Sequence, residues 1–139
     1  MLAELAAYES DRTADIWREI WGRRARNGLP SHGHNVFGYR KRDGHYVPDR
    51  KTGPIVAELN QRYVDGSRHL PLVHWLNQAK VRTPRMGRAW TQPALVKAMG
   101  NGFAAGYVRY LGELLPGAHK PLITEELWLA YQARPEHLR

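Results

Sequence analysis

Residues 81–97, VRTPRMGRAWTQPALVK, hold Arg82, Arg85, Arg88 and Lys97 and no Asp or Glu. Cations with no carboxylate among them suit one chemistry above others, the neutralisation of phosphate oxygens. A second such run holds Arg23, Arg24 and Arg26, then Arg40, Lys41 and Arg42. Residues 23–51 carry +6 and residues 81–97 carry +4, against +8 for the whole chain, while residues 1–22 carry −3. That placement predicts a polyanionic partner, and a fold that joined the two runs would present one basic surface.

Other chemistries find less support. The absence of cysteine excludes disulfides and thiolate zinc sites. His32 and His34 lack a third ligand at a fitting spacing, so they read as loop histidines beside phosphate or solvent, and neither metal nor cofactor is expected. The acids of residues 1–22 lie on a helix whose other half is basic, which gives no acidic pair to hold Mg²⁺. Ser10, Ser31 and Ser67 sit in no context that would activate a nucleophile. No catalytic residue and no small-molecule substrate are therefore expected. The apolar runs are short and broken by charges, which argues against a bilayer span, a signal peptide or a membrane partner and makes the cytoplasm the expected compartment.

The length of 139 residues suits one modest core. Residues 1–27 read as a long helix, with Leu2, Leu5, Ile16, Trp17, Ile20 and Trp21 at helical spacing, arginines in the last turns and Gly28 as the stop. Residues 28–36 read as a linker. VFGYRK and HYVP flank Asp43-Gly44 and predict a small hairpin. PIVAELNQRYVDG predicts a helix with Pro54 in its first turn and Gly66 as terminator, and LPLVHWLNQAK a second with Leu72, Val73, Trp75 and Leu76 buried. Thr91 caps a third, QPALVKAMGN, with Leu95, Ala98 and Met99 inward and Gln92, Val96 and Lys97 outward. The last two resemble a divergent helix-turn-helix, their connection of about ten residues exceeding the usual three or four. Alternation from Gly106 to Tyr110 predicts a strand that turns near Pro116-Gly117 and returns through KPLI, before Thr124 opens a final helix. The expected class is α+β: a long N-terminal helix, a linker, then a mixed helical domain with the divergent helix-turn-helix and small wing-like hairpins.

Taken in order, Phe37-Gly38-Tyr39-Arg40, Tyr46-Val47-Pro48-Asp49, the Ile55-Val56 helix ending in Asp65-Gly66-Ser67, Trp75-Leu76-Asn77, Thr83-Pro84, Trp90-Thr91, Asn101, Gly106 and Pro121-Leu122-Ile123-Thr124-Glu125-Glu126-Leu127 resemble the large serine recombinases. The likeness is to their DNA-binding recombinase domain with the preceding long helix, and runs from about Leu2 to Arg134. It implies double-stranded DNA as partner, self-association of the full-length protein, and a catalytic serine domain that precedes Met1, so that this chain is a fragment that binds without cutting. Residues 1–27 would be the helix leaving the catalytic domain, 28–36 a linker along the minor groove and 37–139 the DNA-binding domain. Backbone and minor-groove contacts would fall to Arg23, Arg24, Arg26, Arg40, Lys41 and Arg42, and major-groove contacts to Arg82, Arg85, Arg88, Thr91, Gln92, Val96 and Lys97. The sequence departs from the family in two places. Asn101-Gly102 stands for the usual Asn-Pro, with Phe103 in place of an aromatic at Ala104, and Asn35-Val36 lacks the usual proline. The cysteine-rich zinc ribbon that follows in the family has no counterpart in these residues. The alternative from a different class is a free-standing winged-helix transcriptional regulator, which would use residues 1–27 to dimerise.

Overall fold

A computed structural model describes residues 2–30 and 34–134, with side chains from Ser10 onward. The order is α1 (Leu2–Arg26), β1 (Tyr39–Arg42), β2 (His45–Pro48), α2 (Thr52–Val64), α3 (His69–Gln78), α4 (Gln92–Gly100), a 3₁₀ turn (Phe103–Ala105), β3 (Tyr107–Tyr110), β4 (Glu113–Pro116) and α5 (Glu125–Ala133). Among the described residues the class is α+β, as the sequence predicts, with two separate antiparallel hairpins. His32 and Ser31 lie outside the described residues.

Three helices of the domain start for a local reason. Asp49 accepts hydrogen bonds from the Lys51 and Thr52 amides at 2.8 and 3.0 Å, opening α2. Those N–H groups, helped by Arg40, hold its carboxyl below the usual carboxylate range. Thr91 and Thr124 cap α4 and α5, accepting from the Ala94 and Leu127 amides. At the other end of α2, Arg134 donates to the Tyr63, Gly66 and Ser67 carbonyls and stacks its guanidinium 4.3 Å from the Tyr63 ring. One arginine far away in sequence thus ties down the end of α2 and the turn that follows it.

α2 packs on α5 and α3 on α4 around Leu59, Tyr63, Leu72, Leu76, Leu95, Trp128 and Tyr131, all buried. Trp75, expected in the buried set, is only half-buried and lies under the Arg62 guanidinium at 4.1 Å. A smaller cluster, Tyr39, Tyr46, Phe103 and Val108, joins the two hairpins edge to face.

The first hairpin turns at Asp43-Gly44 in register Arg42↔His45, both turn residues at positive φ, as expected of a two-residue primed turn. The second corrects the sequence reading. Its turn is Leu111-Gly112, with Tyr110↔Glu113 paired, and β4 has ended where a turn at Pro116-Gly117 was expected. The same turn geometry explains it, because Gly112 supplies one of the two positive φ values and Leu111 accepts the other, at 50°. KPLI is no strand: the Leu122 and Ile123 amides both donate to the Ala104 carbonyl. The Asn101-Gly102 departure is also explained. Gly102 has φ 79°, which proline cannot adopt, and Asn101 Oδ1 accepts from the Phe103 amide to start the 3₁₀ turn.

His119 is buried, its ring stacked on Phe103 at 3.6 Å, with Nε2 donating to the Phe103 carbonyl at 2.5 Å. Nδ1 has no partner among the described residues, and burial pushes the imidazole pKa down. The unfolded chain therefore binds more protons, so the contribution of neutral His119 is full above the ordinary value of about 6.5 and is lost as the pH falls towards the depressed folded value. Thermal melts between pH 5 and 8 should show stability falling below about pH 6.5, with a shallower fall in His119→Gln. Parallel profiles for the two proteins would assign the acid sensitivity to other histidines.

Candidate nucleic-acid interface

The basic run of residues 81–97 has a built conformation. Within residues 81–91 the Thr83 amide donates to the Arg88 carbonyl, the Gly87 amide to the Thr83 carbonyl and the Arg88 amide to Thr83 Oγ1. This closed loop holds Arg82, Arg85 and Arg88 outward, all exposed. Its exit is fixed by Asn77 of α3, which donates from Nδ2 to the Trp90 carbonyl at 3.0 Å and accepts at Oδ1 from the Trp90 amide at 2.8 Å. Trp90 is buried against Phe37, ring centroids 4.7 Å apart, and Thr91 begins α4 at once. The tryptophan in the middle of the run is thus its anchor. On α4, Leu95 and Met99 are buried and Ala98 is half-buried, whereas Thr91, Gln92, Val96 and Lys97 are exposed, as their spacing predicts.

The basic run of residues 23–42 is held in two pieces. Arg24 donates through Nε to the Pro30 carbonyl at 2.9 Å, and its charge opposes the upward push that burial gives the Tyr46 phenol. Tyr46 in turn donates to the His34 carbonyl at 2.7 Å. The last turn of α1, the chain before β1 and the first hairpin are therefore neighbours. Arg23 pairs with Glu19 at 3.2 Å, and Arg26 is exposed. Arg40, Lys41 and Arg42 are exposed along β1, with Lys41 5.9 Å from the Tyr46 ring. The two basic runs meet where Asn35 Nδ2 donates to the Pro84 carbonyl at 3.3 Å. Among the described residues, Arg82, Arg85, Arg88 and Lys97 have no carboxylate within ion-pair distance. Charges left unneutralised by their own protein are available to an anion.

The stretch expected to be a linker is tied down at its start. Gly28 sits at φ 77°, its carbonyl accepts from the Ala118 amide at 2.9 Å, and Tyr110 donates to the Arg18 carbonyl at 3.3 Å. Ala25 is buried at this junction. Sequence reasoning did not find Asn77, Asn35 or Tyr46, which hold the basic segments in place.

The Recombinase family matches residues 50–137. A solved structure described as a crystal structure of an LSR–DNA complex, LSR denoting large serine recombinase, superposes with a TM-score of 0.65 at 20% identity, over 81% of this chain and 35% of that one. A structure from work on the sequence requirements of the Listeria innocua prophage attP site superposes at 0.64, with 20% identity, over 79% of this chain and 46% of that one. The chain spans less than half the length of either, and no curated protein matches it. No helix among the described residues is long and apolar enough to cross a membrane. With the match covering more than half of its residues, and with the fold shared with large serine recombinases, the chain belongs to the Recombinase family.

Proposed function

We propose that this chain binds duplex DNA sequence-specifically as part of a site-specific serine recombinase. The observation that carries the reading is the outer face of α4. Gln92, Val96 and Lys97 are exposed on a helix whose other side is core, beside a closed loop of three arginines that have no carboxylate within ion-pair distance among the described residues. A helix presented in this way fits the major groove, with flanking cations on phosphates. Residues 37–139 form the DNA-binding domain, residues 1–27 are the helix from the catalytic region, and residues 28–36 run along the minor groove with Arg23, Arg24 and Arg26 on the adjoining backbone. Arg40, Lys41 and Arg42 add backbone contacts.

Cutting belongs to a serine outside these residues. Ser67 lies in the turn between α2 and α3, its hydroxyl donating to the Arg68 carbonyl, and no base among the described residues is hydrogen-bonded to it. The chain should shift a plasmid carrying its site without nicking it. The family match over residues 50–137 favours this reading over a free-standing regulator. Gln92→Ala tests the groove assignment. A lost bidentate base contact is worth about 1–3 kcal/mol of discrimination, so sites selected by the variant should lose preference at one position. Equal weakening on every sequence would reduce Gln92 to a backbone contact.

A further inference from the structure

Arg109 stands on β3, paired with Leu114 of β4 and exposed, while its neighbour Val108 is buried with Tyr39, Tyr46 and Phe103. The strand is held at both ends: the Tyr107 amide donates to the Gly102 carbonyl at 3.1 Å and the Tyr110 hydroxyl to the Arg18 carbonyl at 3.3 Å. Arg109 Nη2 donates to the Gly100 carbonyl at 3.4 Å, which sets the guanidinium at the C-terminal end of α4 and leaves its other N–H groups without a protein partner among the described residues. Arg109 also lines an open hollow of about 450 Å³ together with Arg85 of the basic loop and Lys97 of α4, all three exposed. Among the described residues no Asp or Glu lines that hollow, and none of the three cations has a carboxylate within ion-pair distance. Glu125 accepts from the Tyr107 hydroxyl at 3.2 Å and does not pair with Arg109.

A cation at the end of a helix is favoured by the helix dipole, and that accounts for Arg109 beside Gly100. It does not account for three elements bringing like charges to one hollow with no acid among them, since such charges repel until an anion meets them. Because the cations are exposed, a small free ion gains little over water there, whereas a polyanion that sheds condensed counterions gains at every contact. We propose that the β3–β4 hairpin belongs to the duplex surface and that Arg109 binds a backbone phosphate at the C-terminal end of α4, as the basic loop does at its N-terminal end. The inference rests on the duplex reading above and adds a third element to it. With cations at both ends, α4 is positioned along the groove from two sides, and Arg109 meets a different phosphate from Arg85.

The test compares Arg109→Gln, which removes the charge and keeps a side-chain donor, with Arg109→Lys, which keeps the charge. On a duplex that the chain selects from random sequence, Arg109→Gln should weaken binding roughly fivefold at 0.15 M salt and reduce the log–log salt slope by about one unit, with the same loss on unrelated duplexes. Arg109→Lys should keep the parent slope. A slope reduced equally in both variants, with a lowered melting temperature, would assign Arg109 to the end of α4 alone and overturn the proposal. In a second arm a single uncharged methylphosphonate is walked along both strands. One position should weaken the parent and leave Arg109→Gln no weaker than on the unmodified duplex, and the position with that property for Arg85→Ala should be another one. If no position behaves so for Arg109→Gln, or both variants share one, the separate hairpin contact is wrong. A parent that binds with a steep salt slope beside an unchanged Arg109→Gln sinks the hairpin contact only, whereas a parent that binds no duplex sinks both readings.

Discussion

Raising the salt from 50 to 200 mM should weaken binding of this chain to its duplex by roughly 300-fold to 1,000-fold. Ten cations are the proposed phosphate contacts: Arg23, Arg24, Arg26, Arg40, Lys41, Arg42, Arg82, Arg85, Arg88 and Lys97. Arg23 already has Glu19, Arg24 is committed to the Pro30 carbonyl, and Arg40 lies close enough to Asp49 to lower its pKa. About half of the ten engaged gives a log–log slope near −4 to −5. Arg85, exposed and without a carboxylate in reach among the described residues, is the cleanest single probe. Arg85→Ala should reduce the slope by about one unit if it releases one counterion. A slope near zero for the parent protein would remove DNA as its partner altogether.

Gly28→Ala should uncouple α1 from the domain. An added Cβ would lie 2.5 Å from the Ala118 backbone nitrogen, which cannot swing aside as a side chain can, and the residue is at φ 77°. The left-handed conformation alone costs a non-glycine residue about 1–2 kcal/mol. The bond from Ala118 to the Gly28 carbonyl would break with it. Limited trypsin digestion should then cut faster after Arg23, Arg24 and Arg26. On DNA the salt slope should shrink by about one to two units as these arginines lose their fixed position. The melting of residues 37–134 should change little, because their core cluster takes no residue from α1. An unchanged slope with an opened junction would mean that the end of α1 does not touch the duplex.

The elements carried by local chemistry could be read directly from the sequence. Thr91, Thr124 and Asp43-Gly44 each act within four residues of themselves, and all act as their types predict. The outward face of α4 was legible for the same reason, since one helix period fixes it. The second hairpin was misplaced because Leu111 is an unusual residue at positive φ, whereas Pro116-Gly117 carries the stronger turn composition. Long-range devices left no local trace. Nothing near Asn77 announces that it holds Trp90, thirteen residues away, and nothing near Arg134 announces that it closes α2. The meeting of the two basic runs through Asn35 and Pro84 depends on a contact across 49 residues. Charge counting could ask for that meeting but could not locate it.

The bonds from Tyr110 to Arg18 and from Ala118 to Gly28 hold the end of α1 to the second hairpin and the chain just after it, and the bond from Asn35 to Pro84 holds the basic loop to the chain before β1. On the proposed duplex this makes the chain a ruler. Each base pair inserted between the segment touched by the end of α1 and the segment touched by α4 displaces one from the other by about 3.4 Å and turns it by about 35° around the DNA axis. A fixed protein cannot follow that screw motion, so separation and helical phase become part of what is recognised, and a target can retain every contacted base and still be read as the wrong site.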